Sequence, residues 1–112
     1  MKTDRKFLYE GMYIISTTLS EEARKKAIEK IEIEIREKGG EIHKQHDLGR
    51  QKLAYDIRGR KEGHYFVLFF SLNSNEINGL WKEYHLHEDL MRFMTLRADK
   101  IQEELTYKVE AE

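Results

Sequence analysis

The stretch that most restricts what this chain can fold into is Asp47–Phe70, DLGRQKLAYDIRGRKEGHYFVLFF. It opens on a turn signal, Asp47-Leu48-Gly49, and continues with Leu53, Tyr55 and Ile57 alternating with Ala54, Asp56 and Arg58. A polar break at Gly59–Gly63 follows, and then a nearly uninterrupted apolar run, Tyr65–Phe70. Alternation with period two, a glycine-bounded break and an aromatic, β-rich return predict a long β-hairpin. The same stretch concentrates positive charge. Between His43 and Lys61 six bases (Lys44, Arg50, Lys52, Arg58, Arg60 and Lys61) face two acids, Asp47 and Asp56, a local net of +4.

That local excess matters because the whole chain is nearly neutral, with a formal net charge of −1. A protein living on non-specific nucleic-acid binding is expected to be basic overall, so only a local basic surface is in play. The other end leans acidic: Glu103, Glu104, Glu110 and Glu112 are answered only by Lys108. The 112 residues suffice for one core and not for two. No cysteine is present, which removes disulfides, thiolate metal sites and cysteine nucleophiles together. Met1–Phe7 is polar, and no apolar run approaches the roughly 20 residues of a membrane span. A cytoplasmic protein is expected.

Taken in order, Phe7–Ser16 is aromatic and β-branched and reads as a strand. Ser20 is a good N-cap, with Glu21 and Glu22 placed to suit the helix dipole. From there to about Lys38 the pattern is helical: Ala23, Ala27, Ile31 and Ile35 recur every fourth residue with Ile28 beside them, and only Ile33 falls opposite. Gly39-Gly40 ends the helix. A second strand from about Glu41 leads into the hairpin, with a bulge expected near Gly49. Asn73 and Glu76 have the spacing of a capping box, and Ile77, Leu80, Trp81 and Tyr84 then form one apolar helical face, which assigns Trp81 to the core. Leu90–Leu96 is a last strand, with Met12, Met91 and Met94 read as core or strand packing. Residues 1–100 are expected to form a single domain and 101–112 an acidic, flexible tail.

The order β-α-β-β-α-β is a split βαβ pair. Each helix must bury one apolar stripe, and right-handed crossovers place both on the same face of a four-stranded antiparallel sheet. The predicted fold is an α+β, ferredoxin-like sandwich with the opposite sheet face partly open. Alternation sends some of Tyr9, Tyr13, Tyr55 and Tyr65 to that open face, where an aromatic can stack on a base.

Catalytic and metal chemistry find little support. His43 and His46 stand three apart on a predicted strand and so point to opposite faces. His85 and His87, near Glu88 and Asp89, lack thiol partners, and a structural zinc site wants four convergent ligands. The histidines read as solvated surface residues. The serines read as caps or strand ends, and neither a G-x-S-x-G elbow nor a phosphate-cradling glycine loop occurs. No enzyme activity, no cofactor and no small-molecule substrate are expected.

At the level of motifs, Asp47-Leu48-Gly49-Arg50, Lys52-Leu53-Ala54-Tyr55, Ile57 and Gly63-x-Tyr65 resemble the signature of the bacterial small-subunit ribosomal protein six family. Tyr9-Glu10, Gly39-Gly40, Arg92-Phe93-Met94 and Arg97 fall in the same register, so the resemblance spans roughly Leu8 to Lys100. Two positions depart from it. Asp56 stands where members usually have proline, and Leu48 where an aromatic often precedes the glycine. The resemblance implies a non-catalytic ribosome component that pairs with small-subunit protein eighteen and binds the central domain of 16S ribosomal RNA. Arg50, Lys52, Arg92, Arg97 and Lys100 are the expected backbone contacts, since Arg and Lys on phosphates supply affinity while shape and partner supply placement. The alternative on the same topology is an RNA-recognition motif. Gly63, Phe66, Val67 and Phe69 resemble part of its third-strand signature and Met12-Tyr13-Ile14 part of its first, although His64 and Tyr65 do not fit. A small-molecule-sensing module of this fold is a third class.

Overall fold

Serine 20 starts the first helix as the sequence predicts: its Oγ accepts a hydrogen bond from the Ala23 N–H at 3.1 Å. A computed structural model of the chain describes residues 5–103. In it β1 (Lys6–Ile15), α1 (Glu21–Glu37), β2 (Glu41–Ile57), β3 (Arg60–Asn73), α2 (Ile77–Tyr84) and β4 (Leu90–Arg97) follow one another in the expected order. The sheet is antiparallel with strand order β2-β3-β1-β4. At the end of α1, Gly39 takes φ of 88°, a left-handed conformation that glycine adopts without a Cβ penalty. The N–H of Gly40 then reaches back to Ile35 O at 3.0 Å.

Both helices lie on one face. Ile28, Ile31 and Ile35 of α1 and Leu80 and Tyr84 of α2 pack with Tyr9, Tyr13, Ile15, Phe66, Leu68, Phe70, Leu72 and Leu90 of the sheet. Truncating a buried Ile such as Ile31 in this layer is expected to cost about 2–5 kcal/mol. Ile33, on the far side of α1, is exposed as predicted. The other sheet face carries a second, smaller cluster. There Ile14, Tyr65 and Met91 are buried, and Met12, Leu48, Leu53 and Ile57 pack against them. The hairpin therefore curls its own alternating apolar residues back over the open face.

Several expectations are corrected. The turn signal at Asp47-Leu48-Gly49 makes no turn; it is the bulge expected near Gly49, inside a continuous β2, where the register with β3 shifts and Gly49 has φ of 79°. Asp47 stabilises it by accepting the Gly49 N–H at 2.9 Å. The break predicted at Gly59–Gly63 is only two residues long, Arg58-Gly59, flanked by the pair Ile57 and Arg60. Both turn residues have positive φ, 55° and 76°, the backbone that a two-residue hairpin of matching twist demands. Asn or Asp usually fills the first of these positions, and an Arg there bears a left-handed strain of about 1–2 kcal/mol. Asn73 does cap the next helical segment, but its Oδ1 accepts from Asn75 N at 2.9 Å at the head of a single 3₁₀ turn, Ser74–Glu76. Trp81 is not core: it is 36% exposed and donates its indole N–H to Thr95 Oγ1 at 3.1 Å. Met94, also assigned to packing, is half exposed on the edge strand. Among the described residues no helix is long and apolar enough to cross a membrane.

Of the tail expected at 101–112, residues 101–103 are described. Ala98 N–H continues the β4 ladder to Leu8 O at 2.9 Å, His46 bonds Gln102 O at 2.8 Å, and Lys44 pairs with Glu103 at 3.1 Å. Glu104 to Glu112, the rest of the predicted tail, lie outside the described residues.

Candidate nucleic-acid interface

A strand residue's face is fixed by its register, and register decides where each predicted contact residue goes. β4 pairs with β1 so that Ile14 faces Arg92 and Ile15 faces Leu90, which leaves Met91 as an extra residue. Simple alternation would give Leu90 and Arg92 the same face. The bulge instead sends Leu90 into the helix-side core and Arg92 to the open face. There the guanidinium lies 5.2 Å from the ring centroid of Tyr55 and donates to the Tyr55 hydroxyl. An exposed cation–π pair of this kind contributes about 0.5–1 kcal/mol, and Tyr55 itself remains 56% exposed.

Arg50 and Lys52 lie on β2 opposite His64 and Glu62, on the other side of the hairpin from Tyr55. Arg50 pairs with Glu62 at 3.4 Å, both groups well exposed, so the pair is a weak hold on the guanidinium. Arg97 sits at the far end of β4, opposite Tyr9, with its guanidinium 3.8 Å from the ring centroid of Phe7. Arg5 approaches the same ring at 5.4 Å. Lys100 is exposed beyond that end. The five residues thus do not form one group: Arg50 and Lys52 lie on one side of the hairpin and Arg92 against Tyr55 on the other, while Arg97 is about 17 Å further along β4, counting five residues at strand rise, with Lys100 beyond it.

Residues that the sequence reading did not select complete the hairpin group. Arg58 Nη1 donates to Glu88 O at 3.4 Å, bridging the hairpin tip to the loop before β4. Arg58 and Arg60 border a shallow depression of about 280 Å³ with Ser16, Thr18, Glu88, Asp89 and Met91. Lys61, beside Thr17 and Glu62, extends the same surface. Among the described residues Lys52, Arg58, Arg60, Lys61 and Arg92 enter no salt bridge. This pole carries cations free to meet an anion; the exposed Tyr55 stands beside Arg92, while Lys52 lies on the other side of the hairpin. The signal for Arg58 lay in the Arg-Gly pair at the tip, since an arginine in a left-handed turn position is unusual enough to ask what its side chain does.

The histidines do not converge. His43 bonds Ser71 Oγ, His46 bonds Gln102 O, and His64 meets Asp47 Oδ1 at 2.7 Å. His85 packs edge-on against Phe93. His87 is buried, against the surface reading, and bonds both Glu34 carboxylate oxygens at 2.9 and 3.0 Å. No group of three or more candidate metal ligands occurs among the described residues. The open sheet face also lacks the stacking platform of an RNA-recognition motif. Tyr65, Val67 and Phe69 of β3 are 2%, 0% and 1% exposed, and Tyr13 of β1 faces the helices.

The family model for Ribosomal protein S6 matches residues 8–97. Small ribosomal subunit protein bS6 of Chlamydia pneumoniae is 60% identical over 100 residues, covering 89% of this chain and 89% of that relative. The protein of the same name from Protochlamydia amoebophila is 52% identical over 101 residues, 90% of this chain and 89% of its own. Among solved structures, 30S ribosomal protein S6 from Thermotoga maritima superposes with a TM-score of 0.79 at 30% identity, over 84% of this chain and 89% of that one.

Proposed function

The chain belongs to the ribosomal protein S6 family, structural and non-enzymatic proteins of the small ribosomal subunit, and from that premise we propose that it binds the central domain of 16S ribosomal RNA as a heterodimer with small-subunit protein eighteen. Membership over nearly the whole described domain is the observation that carries this reading. In it, residues 1–100 act as one domain and 101–112 as an acidic appendage.

The charge distribution suits a composite surface. A protein of net charge −1 whose free cations are confined to local patches is a poor RNA ligand alone and a better one when a partner adds its own cations. Arg92, Lys52 and Arg50 at the hairpin, and Arg97 and Lys100 at the opposite end, are assigned phosphate contacts, with Arg58 and Arg60 joining the first group. Tyr55 supplies a ring on which an unpaired base can stack. The recognition-motif alternative has less to stand on, because the aromatic positions it would use are buried.

The test is binding of the purified protein to a central-domain fragment of 16S RNA, with and without protein eighteen, across a salt series. Weak binding alone and tight, saturable, salt-sensitive binding with the partner is expected. Each true phosphate contact replaced by Ala should lower the salt slope by about 1. Equal binding with and without the partner would refute the heterodimer reading.

A further inference from the structure

Resting on the RNA reading of the basic pole, we propose that the buried pair of His87 and Glu34 is the device that positions Arg58, by anchoring the loop between α2 and β4. Backbone bonds from His85 N to Trp81 O and from Leu86 N to Glu83 O, and the His85–Phe93 contact, hold the loop's first half, but only one of its side chains is buried. His85, Leu86, Glu88 and Asp89 are exposed, Leu86 to 78%, and only His87 turns inward. Its side chain is 6% exposed and Glu34's 13%, so their bonds are shielded from water on both sides. The backbone of His87 is fixed as well, its N–H donating to Tyr84 O at 3.1 Å, and its ring meets the Tyr84 ring edge-on at 6.2 Å.

The next two residues then deliver the loop's two useful carbonyls. Glu88 O receives Arg58 Nη1, and Asp89 O receives the Ser16 N–H at 3.1 Å. Glu34 is on α1, His87 on the loop, Ser16 at the end of β1 and Arg58 at the hairpin tip. One buried anchor therefore ties the pole's three contributing segments to the helix layer. Arg58 occupies a left-handed turn position that Gly or Asn would hold more comfortably, so the backbone there does not itself explain the arginine. Its side chain does, if it must be held at a set angle. His87 touches no RNA in this scheme; it is a positioning residue, not a contact.

The experiment uses the full chain in two readouts. Amide hydrogen exchange in the free protein follows Ser16, whose N–H reports loop docking, with Leu68 and Phe70 as core references. His87→Ala, and independently Glu34→Ala from the other partner, should speed Ser16 exchange roughly tenfold or more while the core amides keep their protection. The second readout is a cycle of His87→Ala and Arg58→Ala in salt-dependent binding to the 16S central-domain fragment with protein eighteen present. Arg58→Ala keeps the left-handed strain and removes only the side chain, so it should lower the salt slope by about 1. His87→Ala should weaken binding in the parent and add nothing once Arg58 is gone. Unchanged Ser16 exchange in both anchor variants overturns the proposal, and so does a loss from His87→Ala that simply adds to that of Arg58→Ala. A released Ser16 amide with an unaltered slope in Arg58→Ala overturns the RNA reading of the pole beneath it, and the two failures are thereby told apart.

Discussion

The hydroxyls of Tyr13 and Tyr84 meet at 2.7 Å in the core, with the two residues 0% and 1% exposed. Each is the other's partner. Replacing one tyrosine by Phe removes a single oxygen but strands the remaining hydroxyl away from water, and an unsatisfied buried hydroxyl costs about 1–3 kcal/mol. There is little room for a water to take the vacated place: a Cβ built on Gly11 would lie 2.6 Å from the Tyr13 hydroxyl and 3.1 Å from Phe70 Cε1. Tyr13→Phe and Tyr84→Phe are each expected to destabilise by about 2 kcal/mol. The double variant leaves no polar atom unpaired, so its cost should fall well short of the sum, giving a coupling of about 1–2 kcal/mol. Urea unfolding of the four proteins at pH 7 measures this, provided the slopes agree. Single losses below about 0.5 kcal/mol, or strict additivity, would refute the reasoning.

Alkaline pH tests the same pair differently. Burial raises both phenols well above their ordinary value of 10.0, so above that pH the unfolded chain loses protons that the folded chain retains. Stability present below pH 10 should therefore fall above it by about 1.4 kcal/mol per pH unit per phenol, and Tyr84→Phe should remove one phenol's share, as read by urea unfolding between pH 9 and 11. Arg58→Gly relieves a left-handed turn residue and should stabilise the hairpin by several tenths of a kcal/mol by thermal unfolding, while weakening RNA binding. Gly63→Ala would place a Cβ 2.4 Å from Ile14 Cγ2 in the open-face cluster, and a loss of about 1–3 kcal/mol is expected by the same assay; an unchanged midpoint would mean that the hairpin can shift outward freely.

The fold was readable where one residue carries the signal. Ser20 and Gly39 bound α1 because capping is a local matter, and the stripe Ile28, Ile31 and Ile35 identifies its buried side. The order of elements followed from such cues, and so did the bulge near Gly49. What the sequence could not disclose was which face a strand residue takes after an insertion. The extra residue at Met91 is set by pairing with Ile14 and Ile15, some 75 positions earlier, and nothing near Arg92 announces that it will lie over Tyr55. Trp81 fits the apolar face of α2 by period, yet α2 is only eight residues long and its Trp finds Thr95 at the sheet edge instead. The local excess of positive charge was legible at the hairpin. Its division between two ends of β4, and the addition of Arg58 through a carbonyl on another loop, are tertiary facts.

The strand order also has a meaning in time. β1 is made first but sits in the middle of the sheet, and both of its neighbours come later: His64 pairs with Ile15, and Leu90 pairs with it from the other side. At about 5–20 residues per second of synthesis, the roughly 50 residues between Ile15 and His64 occupy about 3–10 s. Throughout that interval β1 has only α1 to cover it, and both its hydrogen-bonding edges are bare. Completion of the hairpin closes one edge, and the other stays bare until β4 has been made. A nascent chain paused before Leu90 would carry an unpaired strand next to its newly assembled core, which is where a chaperone or a second unfinished copy would attach.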